Sequence, residues 1–332
     1  MPAKHLLSVA QLGPDDLVHL IDRSIQFASQ RIAGKPLDNR IVGTYFRKPS
    51  TRTRTSFTVG ALKLGARVVA YGPNDLQIVT GETVADTVKV LSCYLDALVI
   101  RTNEDFSEMS AWASQDQLSI INAMSENEHP TQAIADLSTV KEAFNRLKGI
   151  HILYLGEGNN TAAALALAVA QIRDMKITFV TPEGYGLQEA ILRQAHLLAR
   201  INGAAIEHHH RVDKLPKTVD VVYTTRWQTM GQPHPDPDWR EKFMPYSVTA
   251  ALMSRVSKSS ATIFLHDLPA VRGEDVADEV LNGRQSAAWR QARYKMFTAM
   301  AILDWCIGAS RAEPKAIVQA AIRTIAARND SM

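Results

Sequence analysis

Short runs of β-branched and apolar residues recur along the chain, separated by longer stretches whose apolar positions fall at helical spacing. Runs of the first kind lie at 41–46, 66–71, 97–100 and 119–122, and again at 149–155, 176–180, 219–223 and 262–265. Helical spacing is clearest at 131–147, 161–172 and 187–202. This alternation is the pattern of parallel sheets built from βαβ units. Two series of four strands predict an α/β protein of two doubly wound domains, each a central parallel sheet flanked by helices, with helices bridging them. The joint falls in the helix after His129-Pro130, since proline suits the first helical position and a new strand series opens beyond. The expected domains are therefore 1–147 and 148–304. The segment 289–327 is helical in pattern, and its part from about 305 to 327 is expected to pack back on the first domain.

Composition narrows the class. The chain's 332 residues fit two domains at about 150 each. Its 37 basic and 34 acidic residues leave a net charge of +3, too balanced to coat a nucleic acid. The longest apolar run, 162–170, has about half the length of a membrane span, and the N-terminus lacks a secretory h-region. Two cysteines, Cys93 and Cys306, argue against a disulfide framework and fit a reducing cytoplasm. Cys93 lies on a helical stretch and is expected in the core.

The near-neutral total hides one local concentration. In Phe46-Arg47-Lys48-Pro49-Ser50-Thr51-Arg52-Thr53-Arg54-Thr55-Ser56-Phe57 a strand ends, Pro49 stops it, hydroxyls are placed for capping, and an apolar periodic run follows. Free backbone N–H groups at a helix start, beside hydroxyls and guanidinium forks, hold a phosphate dianion well. A capped, solvated basic helix start is the plainer alternative for these residues alone.

Ser50-Thr51-Arg52-Thr53-Arg54 resembles the carbamoyl-phosphate motif of the aspartate and ornithine carbamoyltransferases. Four segments follow in the family order. Gly81-Glu82-Thr83-Val84-Ala85-Asp86-Thr87 resembles a G-E-S/T-x-x-D-T element, and His129-Pro130-Thr131-Gln132 an H-P-T/C-Q element. Leu155-Gly156-Glu157-Gly158-Asn159-Asn160 is similar to a G-D-x-x-N turn, and His266-Asp267-Leu268-Pro269 stands where the family has H-C-L-P or H-P-L-P. The resemblance runs from about residue 6 to residue 308. It implies transfer of a carbamoyl group from carbamoyl phosphate to an amine with release of phosphate. No cofactor, metal, nucleic acid or membrane is implied; the setting is the cytoplasm and the assembly a homotrimer or a multiple of trimers.

By the same resemblance, Ser50, Thr51, Arg52, Thr53 and Arg101 bind the phosphate. Arg52, Thr53, His129 and Gln132 surround the carbonyl, donating hydrogen bonds that strengthen as its oxygen gains charge. Lys295, in Gln291-Ala292-Arg293-Tyr294-Lys295-Met296, stands for an arginine that touches the carbamoyl group; it keeps the charge and loses the fork. Gln77 matches a position that reaches into a neighbouring subunit's site.

The acceptor half departs from its relatives. Ornithine enzymes carry D-x-x-x-S-M-G, whose Asp binds the α-amino group. Aligned on Met230-Gly231, this chain has Thr225 at the Asp position and Thr229 at the Ser. A hydroxyl cannot replace a carboxylate as the partner of a buried ammonium. Thr225-Arg226-Trp227-Gln228 instead resembles the aspartate enzymes' T-R-x-Q, whose Arg and Gln hold acceptor carboxylate and amine. Yet Thr80 stands where aspartate enzymes have an interface lysine, and Ala270 where they have arginine after H-P-L-P. Asp267 brings a carboxylate to the place of the attacking amine. The expectation is that Arg226 and Gln228 grip an acceptor carboxylate while Asp267 orients its amine, with Asn160, Thr225, Thr229, Met230 and Leu268 completing the acceptor site. Three alternatives remain open at this stage: ornithine carbamoyltransferase proper making citrulline, a catalytically weakened binding or regulatory homologue, and a nicotinamide oxidoreductase.

Other features carry less. His208-His209-His210 cannot converge on one metal ion without a special turn and is expected on an exposed loop or edge. Gly156-x-Gly158 lacks the third glycine of a dinucleotide turn.

Overall fold

The computed structural model describes residues 2–30, 34–228 and 235–308 of the 332. The first domain opens with α1 (Gly13–Ala28) and then alternates: β1 (Ile41–Phe46), α2 (Thr51–Lys63), β2 (Arg67–Tyr71), α3 (Val84–Leu91), β3 (Ala97–Arg101), α4 (Phe106–Trp112), β4 (Ser119–Met124) and α5 (Pro130–Phe144). Its four strands are all parallel, in the order β2-β1-β3-β4. The central strand β3 is buried along its whole length, as a parallel strand covered on both faces must be. Gly43 in β1 makes room for this packing: a Cβ there would stand 2.6 Å from Leu95 Cδ1 and 2.8 Å from Leu98 Cδ1, so both side chains would have to shift.

The second domain continues with β5 (His151–Leu155), α6 (Asn160–Val169), β6 (Lys176–Val180), α7 (Glu189–Asn202), β7 (Ala205–His209), β8 (Val221–Thr224), α8 (Trp239–Phe243), α9 (Ala250–Val256), β9 (Ile263–His266), α10 (Asp278–Leu281) and α11 (Ala288–Ile307). Its sheet is also parallel, in the order β7-β6-β5-β8-β9. The chain thus has two parallel-sheet α/β domains flanked by helices, as the sequence pattern predicts. The second sheet has five strands rather than four. The extra strand, β7, lies on the sheet edge with only Ile206 fully buried, so its Glu-His-His run reads as polar connection in the sequence. His208 and His209 fall on that edge, and His210 just beyond it.

One apolar cluster joins the two domains, running from Leu17 and Phe57 through Ile134 and Leu165 to Phe179. The alanine-rich run at 162–170 is α6 and its C-cap, buried on every side and packed between α5 and α7. Helix α11 leaves the end of the second sheet and crosses α2, α5 and α1 of the first domain. At Gly60 of α2, Met300 and the Met296 carbonyl approach within 3.1 and 3.4 Å of the point where a Cβ would stand. Residues from 309 onward, including most of the expected 305–327 helix, lie outside the described residues. Among the described residues no helix is long and apolar enough to cross a membrane.

Cys93 is exposed, contrary to the expectation of a core position. It lies past the end of α3, where the turn faces its Sγ outward, 3.6 Å from the Lys89 carbonyl.

Candidate active site

Each sheet reverses its winding direction once, between β1 and β3 in the first and between β5 and β8 in the second. Crevices at the carboxyl ends of strands flanking such a reversal are where open α/β sheets bind ligands. Here both crevices open into one cavity of about 250 Å³. From the first domain it is lined by Pro49 to Thr53, Arg101, Met124, His129 and Gln132. From the second come Asn159, Asn160, Thr161, Thr225, Arg226, Gln228 and Asp267 to Pro269, and α11 contributes Lys295.

The first-domain wall is cationic. Ser50 takes an extended backbone as N-cap of α2 but makes no capping hydrogen bond with its side chain, which leaves its hydroxyl free for the cavity. Arg101 stands at the end of β3, where the register with β4 shifts so that it pairs with Met124. It is buried, reaches Thr53 Oγ1 at 3.5 Å, and its Nε has no partner among the described residues. Burial, reinforced by the neighbouring Arg52 guanidinium, lowers its pKa to about 10. Two guanidinium groups so placed, with no carboxylate bonded to them among the described residues, call for an anion. Arg52 also donates from Nη2 to the Leu268 carbonyl at 2.8 Å, which ties α2 to the loop after β9. Of the four basic residues from Arg47 to Arg54, only Arg52 lines the cavity: Arg47 pairs with Glu104 and Glu108, and Arg54 lies over the Phe46 ring.

His129 and Gln132 enter on the first turn of α5. Burial holds His129 neutral, its pKa pushed well below the ordinary value with help from the charges of Lys295, Arg101 and Arg52. Its Nδ1 lies 3.3 Å from Thr131 Oγ1, and its backbone N–H donates to the Asn160 carbonyl across the domain boundary at 3.1 Å. The Gln132 amide differs from the sequence expectation of a donor to the carbonyl. Its Nε2 donates to Asp136 at 2.7 Å and its Oε1 accepts from Lys295 Nζ, so the amide presents oxygen to the cavity. Burial draws the Lys295 pKa down to about 8, opposed by Asp136 and Asp267 and reinforced by Arg101 and Arg52.

On the second-domain wall Asp267 accepts from Thr225 Oγ1 and from Thr161 Oγ1, each at 3.0 Å. Asn159 caps α6 through its side-chain oxygen and approaches Thr225 with Nδ2 at 3.4 Å. Asn160 donates to the Ser125 carbonyl at 2.8 Å, pinning the start of α6 to the first domain. Arg226 has a buried Nε with no partner among the described residues. Leu268 adopts φ of 57°, an uncommon conformation for leucine, and its N–H donates to His266 Nδ1 at 2.8 Å.

The structure therefore brings together Ser50, Thr51, Arg52, Thr53, Arg101, His129, Gln132, Asn160, Thr225, Arg226, Gln228, Asp267, Leu268 and Lys295. Gln77 lies elsewhere, in the exposed 3-10 turn Gln77–Thr80, with its Oε1 accepting from Thr80 Oγ1 at 2.8 Å. Thr229 and Met230 lie outside the described residues. Pro49, Met124, Asn159, Thr161 and Pro269 line the cavity without having been assigned to the site from the sequence. Thr161 was open to detection, because it falls in the first helical turn after the strand-ending glycine turn.

Comparison with known proteins agrees with this geometry. Residues 4–142 match the family model "Aspartate/ornithine carbamoyltransferase, carbamoyl-P binding domain", and residues 148–306 match "Aspartate/ornithine carbamoyltransferase, Asp/Orn binding domain". The chain belongs to the aspartate/ornithine carbamoyltransferase family and is a carbamoyltransferase. It is 38% identical over 306 residues to an ornithine carbamoyltransferase of Nostoc sp., covering 92% of this chain and 98% of that one. The ornithine carbamoyltransferase structure from Pyrococcus furiosus superposes with a TM-score of 0.85 at 32% identity, covering 92% of this chain and 97% of that one. That from Gloeobacter violaceus gives 0.81 at 33%, covering 92% and 98%.

Proposed function

We propose that the acceptor is a small amine bearing a carboxylate, seated differently from ornithine or aspartate in their own enzymes. Carbamoyl phosphate lies along the first-domain wall, with Ser50, Thr51, Arg52, Thr53 and Arg101 on its phosphate and Arg52, Thr53, His129 and Lys295 toward its carbonyl. The acceptor's neutral amine nitrogen attacks the carbonyl carbon, the new C–N bond forms, and the bond from carbon to the phosphate oxygen breaks. Phosphate leaves with that electron pair and takes the amine proton. Positioning and fixed positive charge supply the catalysis, so the reaction as proposed draws on no cofactor.

The observation that carries the acceptor reading is the place of Asp267. Its carboxylate is steadied by two threonine hydroxyls and faces the same cavity as Arg226, so an acceptor carboxylate held by Arg226 and a neutral amine donating to Asp267 can be matched on a single wall. A second reading, citrulline formation from ornithine, is favoured by the similarity to ornithine carbamoyltransferases. Steady-state kinetics with carbamoyl phosphate and a panel of amines, ornithine and aspartate included, separates the two. Arg226→Ala is expected to lower kcat/KM for the best acceptor about tenfold to a hundredfold, the worth of one charged hydrogen-bonding partner. Ordinary turnover of ornithine that is indifferent to Arg226→Ala would sink the first reading and leave the second.

The working unit is proposed to be a homotrimer in the cytoplasm, with Gln77 completing the carbamoyl-phosphate site of a neighbouring copy. In support, Val79, Val90 and Tyr94 are exposed on the same stretch of chain as Gln77.

A further inference from the structure

Beneath the cavity floor lies a group of buried polar side chains to which the roles above give no task. Asp136, one turn beyond Gln132 on α5, accepts three hydrogen bonds: from Gln132 Nε2 at 2.7 Å, Gln291 Nε2 at 2.6 Å and Tyr223 OH at 3.0 Å. Gln291 in turn accepts, through Oε1, from the backbone N–H of His266 at 2.8 Å. The bonds therefore run from α5 through β8 and α11 to the residue that precedes Asp267. Asp136, Gln132 and Gln291 are each 1% exposed, so their mutual hydrogen bonds lie in a largely desolvated setting.

A carboxamide has one donating end and one accepting end. Burial pushes the Asp136 carboxyl up to about 7, against the pull of the hydrogen bonds from Gln291 and Gln132; in its ionised form it can only accept, and the Lys295 ammonium can only donate. Gln132 is flanked by one of each, so its orientation follows from its neighbours' chemistry.

We propose that Asp136 is a positioning residue for carbamoyl transfer: by capturing the Gln132 amide nitrogen it turns the Gln132 carbonyl oxygen into the cavity, where that oxygen accepts from the NH2 of the carbamoyl group. The inference rests on the reading that the carbamoyl group lies beside Gln132 and Lys295. It makes Asp136 the source of discrimination between carbamoyl phosphate and acyl phosphates of the same shape. Acetyl phosphate carries a methyl group in place of the NH2 and gains nothing from an inward oxygen. Gln291 and Tyr223 serve as braces that keep the Asp136 carboxylate aimed at Gln132.

The test is calorimetric binding of carbamoyl phosphate, acetyl phosphate and inorganic phosphate to the full chain. Asp136→Asn offers one oxygen to three donors and releases Gln132 to turn. It is expected to weaken carbamoyl phosphate about tenfold, the worth of one hydrogen bond, with the other two ligands within about twofold of their original affinity. The charge-conserving double variant Gln132→Glu/Asp136→Asn keeps an oxygen facing the cavity whichever way the side chain turns. It is expected to regain most of the preference for carbamoyl over acetyl phosphate. A loss shared equally by all three ligands in Asp136→Asn would reduce Asp136 to a structural role and overturn the proposal. Should Asp136→Asn fail to fold, the double variant carries the test: a folded protein without the carbamoyl preference overturns it as well. An unmodified chain that binds inorganic phosphate but shows no preference for carbamoyl phosphate would remove the reading of the site, and this inference with it.

Discussion

Lys295 shows how one side chain's environment sets the conditions under which the site works. Held at about 8 by burial, its ammonium is present at neutral pH and lost as pH rises through that value. Carbamoyl phosphate affinity is therefore expected to fall above about pH 8, and Lys295→Arg, whose guanidinium keeps its proton, should move that fall upward by at least about one pH unit. Binding measured from about pH 7 to about pH 9.5 checks this, and an unchanged profile would exclude Lys295 from contact with the ligand. The residues legible in the sequence share one property: their chemistry is concentrated in contiguous runs such as Ser50 to Arg54 and His129 to Gln132. What could not be read there depends on partners far apart in the chain. Thr225 meets Asp267 across 42 positions, and Asp136 meets Gln291 across 155.

At the scale of elements, the short turn Val9–Gln11 clasps the two domains together. Its Val9 N–H donates to Glu128 Oε1 at 2.7 Å, and its Val9 carbonyl accepts from Gln171 Nε2, just past α6, at 3.0 Å. Burial pushes the Glu128 carboxyl from 4.5 up to about 7, against the pull of hydrogen bonds from Ser8 and Val9. The native state then holds a proton that the unfolded chain gives up, so stability present below about pH 4.5 is lost as pH rises to about 7, by on the order of 3 kcal/mol. Glu128→Gln keeps the acceptor for Val9 and removes the titration. Denaturant melts on either side of that window should show the variant with a flatter pH profile and greater stability at neutral pH; an identical slope would place the pH dependence elsewhere. Hydrophobic spacing recovered every strand but β7 and, among the helices, α5, α6 and α7 to within a few residues. It passed over β7, whose Glu207-His208-His209 supplies no apolar residues, while the equally peripheral β2 is legible from its Val68-Val69-Ala70-Tyr71 run.

For the whole molecule, the two sheets, the cavity between their reversal points and the helices that tie them gather the described candidate residues into one cavity, with Gln77 standing apart. If a neighbouring copy supplies that residue, the protein should sediment at about three times the chain mass, and Gln77→Ala should weaken carbamoyl phosphate binding about tenfold without altering the assembly. A monomer of full affinity would contradict both. Domain architecture was open to sequence reasoning because alternation of strand and helix is a property of the whole chain; the facing of the two crevices was not, since it depends on how α5, α6 and α11 pack.

The Thr225 and Asp267 pair carries a consequence for how such a site can change. The acidic group that the resemblance places at position 225 stands in this protein on the next strand's loop, within hydrogen-bond reach of the hydroxyl that took its place. An aspartate at 225 alone would face a second carboxylate, and loss of Asp267 alone would leave the wall with no carboxylate at either position. A route between this pocket and that of its ornithine-type relatives must cross one of those two states, so the two positions are exchangeable as a pair and constrained as individuals.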